Sequence, residues 1–255
     1  MIENQVPGYG YSVGEPTREY AAVERGQLVM PFYLLCDVSY SMTHDMPALN
    51  EGIQRLRRAI VSEPAVDDVA HIGILTFSDV GKVVVPLSQM SEHNVPVLAV
   101  EGGTNYGAAF RTLAQTITED NASLKAQGYK VYRPCAFFLS DGEPLDADWE
   151  ATFRATLTYD PTTRVGMKGH PVFVPYGFRD ASEDVLRKLA YPMGRAKWYF
   201  SKSSEIEQVL KGILDIIMNT VITSGNSASS TKPAVVQQAP ADGSGIAWGD
   251  PDDYV

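Results

Sequence analysis

Short apolar runs with no helical period alternate along this chain with stretches whose apolar positions recur every three or four residues. FYLLCDV (32–38) is a run of the first kind and predicts a buried strand. Met46, Leu49, Ile53, Leu56 and Ile60 form one face of a helix, with Asp45 as the expected N-cap, Pro47 in the first turn and Pro64 just beyond the end. VAHIGILTF (69–77) predicts a second strand. SDVG (78–81) is a turn and KVVVPL (82–87) a third strand, close enough to make an antiparallel hairpin. Phe110, Leu113, Ala114 and Ile117 mark another helix, and CAFFL (135–139) a fourth strand. A helix near 146–158, the strand VFVPY (172–176), a short helix through Val185, Leu186 and Leu189, the strand KWYF (197–200) and a strong helix over Ile206–Ile217 complete the pattern.

Strands that alternate with helices predict an α/β fold: an open, doubly wound, mainly parallel sheet of six strands with one antiparallel edge strand. From about Thr223 the composition shifts to Ser, Ala, Pro, Gly and Gln, which predicts a flexible acidic tail over 223–255 rather than core. The division expected is an N-terminal extension (1–29), one domain (30–222) and that tail. The tail ends in WGDPDDYV (248–255), where Trp248 and Tyr254 could anchor a docking peptide; a solubilising arm is the plainer expectation.

The candidate chemistry lies at strand ends. In an open parallel sheet, ligands bind beyond the carboxyl ends of the strands, at the switch in strand order. The first strand runs into DVSYSM (37–42) and the fourth into SDGEP (140–144), while EGGTNYG (101–107) precedes a helix. Asp37, Ser39 and Ser41 are spaced by two, which can turn three side chains to one side of an extended segment. Thr104 adds a hydroxyl and Asp141 a second carboxylate. Five oxygen donors with no sulfur or imidazole suit Mg²⁺, with Mn²⁺ as a substitute. Each piece also has an ordinary meaning taken singly: Asp37 and Ser39 as a capped turn, Thr104 as a helix N-cap, Asp141-Gly142 as a tight turn.

DVSYS resembles the D-x-S-x-S signature of von Willebrand factor A domains. That family combines the signature with a distant threonine and a distant aspartate in a metal-ion-dependent adhesion site. The resemblance covers roughly residues 30–222 and implies Asp37, Ser39, Ser41, Thr104 and Asp141 as the metal ligands. DVSYSM, GGTNYGAAF and FFLSDGEPLDADW together are similar to the bacterial intracellular, TerY-like branch associated with tellurium resistance. Tyr40 departs from the glycine common among those relatives and would set an aromatic ring at the mouth of the site. The resemblance implies a Mg²⁺-dependent protein-interaction module rather than an enzyme. Its partner would offer an Asp or Glu carboxylate, flanked by Tyr40, Asn105 and Glu143. A role in tellurite or metal stress is the wider implication.

Two other classes stay open: a Mg²⁺-dependent phosphohydrolase, and a scaffold with a vestigial site. Against the first, Ser39 stands where aspartyl phosphatases need a second Asp, and no P-loop, nucleophile elbow or dinucleotide fingerprint is present; GYGYSVG (8–14) has the wrong glycine spacing. Glu143 and Asp146 are expected as solvated loop acids. The 255 residues carry a formal charge of −10, which repels phosphate backbones and argues against nucleic acid. Cys36 and Cys135 are expected as buried free thiols, and the four scattered histidines as surface or packing residues. No run approaches the roughly 20 apolar residues of a membrane span, and no signal segment is visible, so a cytoplasmic protein is expected.

Overall fold

The computed structural model describes residues 26–230 and 232–251. In chain order the elements are β1 (Leu28–Asp37), α1 (Met46–Val61), α2 (Pro64–Asp67), β2 (Ala70–Phe77), β3 (Gly81–Ser88), α3 (Tyr106–Ala126), β4 (Lys130–Val131), β5 (Cys135–Ser140), α4 (Trp149–Leu157), β6 (Tyr159–Asp160), β7 (Val165–Gly166), β8 (Val172–Phe178), α5 (Glu183–Leu189), β9 (Trp198–Ser201), α6 (Ile206–Ser227) and β10 (Ala247–Gly249). The main sheet has eight strands in the order β10-β9-β8-β5-β1-β2-β3, with β4 pairing to the start of β1. Strands β2, β1, β5, β8 and β9 are parallel, and β3 is antiparallel at one edge, as the short connection from β2 requires.

Burial on both faces explains the unbroken apolar runs. Along β1, Phe32, Leu34 and Cys36 face one layer with α1 and α6, while Tyr33 and Leu35 face the other with α3 and α4. The two layers are packed differently. The α3–α4 side is aromatic, with Phe110 edge-on to Phe153 at 5.1 Å and Phe77 stacked on Phe138 at 5.0 Å. The α1–α6 side is aliphatic and tight. A Cβ placed on Gly52 of α1 would lie 2.0 Å from Leu214 Cδ1 of α6, so only glycine lets these helices approach without displacing that leucine. Both cysteines are free and buried, on β1 and β5. Among the described residues no helix is long and apolar enough to cross a membrane.

All six expected strands are present, but the sheet has two more. β4 and β10 span two and three residues, too short for any periodicity, and a two-stranded β6–β7 sheet stands apart. The flexible tail expected from Thr223 is corrected. α6 continues to Ser227, and the described residues beyond it fold back over the domain and end in β10, antiparallel to β9. Composition favours disorder there, yet the segment needs no core of its own, because it borrows partners from α6 and β9. Tyr254 lies outside the described residues, as does the GYGYSVG stretch.

His71 on β2 gives the fold a pH dependence. It is buried, and among the described residues neither ring nitrogen has a hydrogen-bond partner. Burial holds its pKa below the ordinary value of 6.5, against the pull of Asp67 and Asp68. Below that value the unfolded chain binds a proton that the folded chain refuses, so this residue's contribution is complete above it and is lost as pH falls. The stability of wild type relative to His71→Phe should therefore shift toward the variant between about pH 7.5 and about pH 5.5. Urea unfolding of both proteins at the two pH values checks this; a constant difference would show that His71 does not titrate on unfolding.

Candidate metal centre

Chain order reverses across the sheet between β1 and β5: β2 and β3 lie on one side, β8 and β9 on the other. The carboxyl ends of β1 and β5 therefore open the crevice where this class of sheet binds ligands. Asp37 is the last residue of β1 and fully buried. Its Oδ1 accepts from the backbone N–H of Ser39 at 2.9 Å, and its Oδ2 from Ser140 Oγ of β5 at 2.7 Å. The Ser39 and Ser41 hydroxyls are 3.0 Å apart, and Ser41 Oγ donates to Asp141 Oδ1 at 2.8 Å. Four of the five expected donors are thus joined in one chain of oxygens across two loops.

Thr104, the fifth, is buried on a loop laced to its neighbours by main-chain bonds. Glu101 N–H donates to Val38 O (2.6 Å), Tyr40 N–H to Gly102 O (3.1 Å), Asn105 N–H to Ser78 O (2.8 Å) and Leu145 N–H to Thr104 O (2.9 Å). Gly102 has φ +54°, and a Cβ there would lie 2.3 Å from Asp79 Oδ2. Asp79 Oδ1 in turn accepts from Gly103 N–H at 3.0 Å, so the two glycines let an acid clamp the loop. Of the residues expected to flank a partner, Tyr40 is 72% exposed and Glu143 is exposed. Asn105 has another occupation: it is the N-cap of α3, its Oδ1 accepting from Ala108 N–H at 2.8 Å.

Several contributors carried no sequence signal. Ser140 accepts from the buried Tyr106 hydroxyl at 3.0 Å, which also lies 2.8 Å from Gly142 O, so the aromatic layer under α3 supports the Asp37 contact. Asp146, expected as a solvated acid, accepts from the N–H groups of Tyr106 and Gly107 (2.8 and 2.9 Å) and holds the start of α3. Asp45 stands at the N-cap position of α1 but makes no side-chain cap bond. Its buried carboxylate instead takes a two-pronged pair from Arg179, Nε to Oδ2 at 2.8 Å and a terminal nitrogen to Oδ1 at 2.7 Å. Pairing acids with distant arginines is invisible to local sequence patterns.

The electrostatics fit a cation. Burial, and then the Asp141 charge, push the Asp37 pKa up to about 6, although bonds from Ser39 and Ser140 oppose this. Asp141 is also raised, chiefly by burial and then by Asp45, with Ser41 and Arg179 pulling it down. Among the described residues the buried Asp141 Oδ2 has no hydrogen-bond partner, an expensive state for a carboxylate oxygen unless something positive meets it. Two carboxylates and three hydroxyls offer hard oxygen donors only. Among the described residues no three His, Cys, Asp or Glu side chains gather as a metal site.

The same architecture occurs in solved structures. A von Willebrand factor type A protein from Catenulispora acidiphila aligns over 76% of this chain and 43% of its own, at 14% identity and TM-score 0.54. The chain has the von Willebrand factor A fold. The pilus adhesin SpaC of Lactobacillus rhamnosus GG aligns over 78% of this chain and 31% of its own (12% identity, TM-score 0.53). Proximal thread matrix protein 1 of the mussel byssus, in a form with a zinc-occupied MIDAS motif, aligns over 78% and 49% (13% identity, TM-score 0.51). The chain spans less than half the length of each. No family model and no curated protein matches the sequence. In this von Willebrand factor A fold the expected D-x-S-x-S loop occupies the crevice between β1 and β5.

The Asp45–Arg179 pair lies against this crevice and should be a stability determinant. Arg179→Met strands a buried carboxylate; a fully buried broken pair costs about 3–5 kcal/mol, and the one-third exposure of Arg179 reduces this to about 2 kcal/mol. Adding Asp45→Asn should restore most of it. Urea unfolding of the single and double variants in chelator tests the coupling, and additive losses would disprove it.

Proposed function

We propose that this chain is a divalent-cation-dependent protein-interaction module, with Mg²⁺ as its ion. The ligands in this reading are Asp37, Ser39, Ser41, Thr104 and Asp141. The observation that carries it is the buried Asp141 Oδ2, without a partner among the described residues, beside a second buried acid in the crevice where this class of sheet binds ligands. A bound cation would offer an open coordination position to a carboxylate oxygen of the partner. The chain's own residues do the rest. Ser140 and the Ser39 N–H fix the Asp37 carboxylate, Ser41 orients Asp141, and the clamped Gly102-Gly103 loop presents Thr104. Tyr40 and Glu143, both exposed, border the mouth and filter what enters.

Binding rather than catalysis is favoured because both Asp37 carboxylate oxygens and one of Asp141 already accept hydrogen bonds, and Asp146 is tied to the start of α3. The likeness to an adhesin and to a protein with a zinc-occupied MIDAS motif supports the same kind of activity. The resemblance to TerY-like proteins supports a place in the metal-stress response of a bacterial cytoplasm, with an acidic protein segment as ligand.

Mg²⁺ should raise the melting temperature of the wild-type chain, since it binds the folded state alone. Asp37→Ala should remain folded and lose more than about 100-fold in Mg²⁺ affinity, beyond the 10–100-fold expected for a residue that only supports a ligand. Calorimetric titration, with circular dichroism as the folding control, decides this; unchanged affinity would remove Asp37 from the site. Asp37→Asn sharpens the test. In chelator it relieves a buried charge and should not destabilise the fold, whereas in Mg²⁺ it should melt below wild type. A phosphatase assay on wild type and Asp37→Ala separates the hydrolase class, and capture of partners with Mg²⁺ but not with EDTA separates the vestigial scaffold.

A further inference from the structure

The segment after α6 is held in an unusual way. On α6, Thr220, Ser224 and Ser227 follow one another at spacings of four and three, and the first two are fully buried. Their hydroxyl oxygens accept the N–H groups of Gln238 (3.2 Å), Val236 (2.9 Å) and Ala234 (3.1 Å). Alternate residues of an extended chain thus meet successive turns of a helix running the other way. Seven helical residues cover ~10.5 Å and four extended residues ~13 Å, so the match serves three contacts and not many more. Two tyrosines grip carbonyls of the same segment: Tyr132 donates to Pro233 O and Tyr199 to Gln238 O, both at 2.8 Å. Farther on, β10 adds three residue pairs to the edge of β9.

The hydroxyl, tyrosine and β10 contacts are all to main-chain atoms of the segment, so the groove recognises an extended backbone. Side chains add anchors at the surface: Gln237 Oε1 accepts from Lys197 N–H at 2.8 Å, Asp250 pairs with Lys197, and Trp248 stacks on Tyr199. Among the described residues of the segment Ile246 alone is buried, packed near Gly212 of α6, while Trp248 is 42% exposed. Gly243 and Gly245, at φ +75° and +69°, form the loop before β10. Few buried apolar contacts and a short ladder are the marks of a unit that opens before the rest of the fold. Its departure would uncover the β9 edge and take from Thr220, Ser224 and Ser227 the N–H groups they accept, two features that favour an extended strand.

We propose that the groove between α6 and β9 is a strand-docking site, which residues 232–250 fill as a tethered and exchangeable occupant. The same segment of a second copy is the occupant that can replace it, since it carries the one sequence seen to fit. This site is separate from the metal centre: β9 lies two strands beyond β5, and no donor of the crevice takes part.

The test uses the full chain and a fluorescent peptide with the sequence of residues 232–251. The peptide should bind saturably, weakened by competition from the tethered copy. Ile246→Ser, which loosens the tether, should tighten peptide binding roughly tenfold. Thr220→Val with Ser224→Ala, which damages the groove, should weaken it roughly tenfold. EDTA should change neither, which separates this site from the metal-dependent one. In wild type, hydrogen exchange of Ala234, Val236 and Gln238 should precede that of β5 and β8. Absence of saturable binding in both wild type and Ile246→Ser, or exchange of those three amides only together with β5, would overturn the proposal.

Discussion

Everything at the candidate site depends on keeping two carboxylates buried side by side. The reversal of strand order sets β1 against β5, so Asp37 and Asp141 emerge at neighbouring strand ends. Burial is the chief reason both resist ionisation, with the Asp141 charge adding to it at Asp37 and the Asp45 charge at Asp141. The surrounding structure is arranged to hold them regardless. Ser140 and Ser41 donate across the two loops, the Tyr106 hydroxyl backs Ser140, and Arg179 stands near Asp141 while paired with Asp45. The loop carrying Thr104 is fixed independently by Asp79 and by main-chain bonds to both neighbouring loops.

The strands that frame this crevice were legible because they are buried on both faces and read as continuous apolar runs. The candidate donors stood out because hydroxyls and acids at strand ends violate that pattern. What supports them did not. Ser140 reads only as the start of the SDGEP loop, Tyr106 as part of the EGGTNYG loop before a helix, Asp45 as a cap and Asp146 as a solvated acid. Their roles follow from contacts spanning 34 residues for Tyr106–Ser140, 40 for Asp146–Tyr106 and 134 for Arg179–Asp45. Asn105 shows the converse: a position that looked available to a partner completes the helix start beside it.

The tail failed for a different reason. Composition reports whether a segment can form its own core, and residues 232–251 cannot. It is silent about hydroxyls already arrayed on a helix that ends just before the segment begins. Thr220, Ser224 and Ser227 look like ordinary interruptions of an apolar helix face, and only the returning chain shows what they accept. A polar stripe low in the face of a terminal helix is thus a local hint that the chain folds back on it.

These two features place opposite demands on the same fold. The candidate site concentrates unfavourable burial at one point, tolerable because the double-sided core beneath it is deep and its side chains are fixed from several elements. The strap concentrates polar satisfaction at a loose edge, with little apolar burial to hold it. A tight core can carry a strained, underneutralised site and a weakly held edge strand together only if they do not share supports. Here they do not. The crevice leans on α3 and the aromatic layer through Tyr106, and the strap leans on α6, β9 and the aliphatic layer through Ile246. Opening the edge therefore leaves every hydrogen bond at Asp37 and Asp141 in place, and neutralising those acids leaves the α6 hydroxyls as they are.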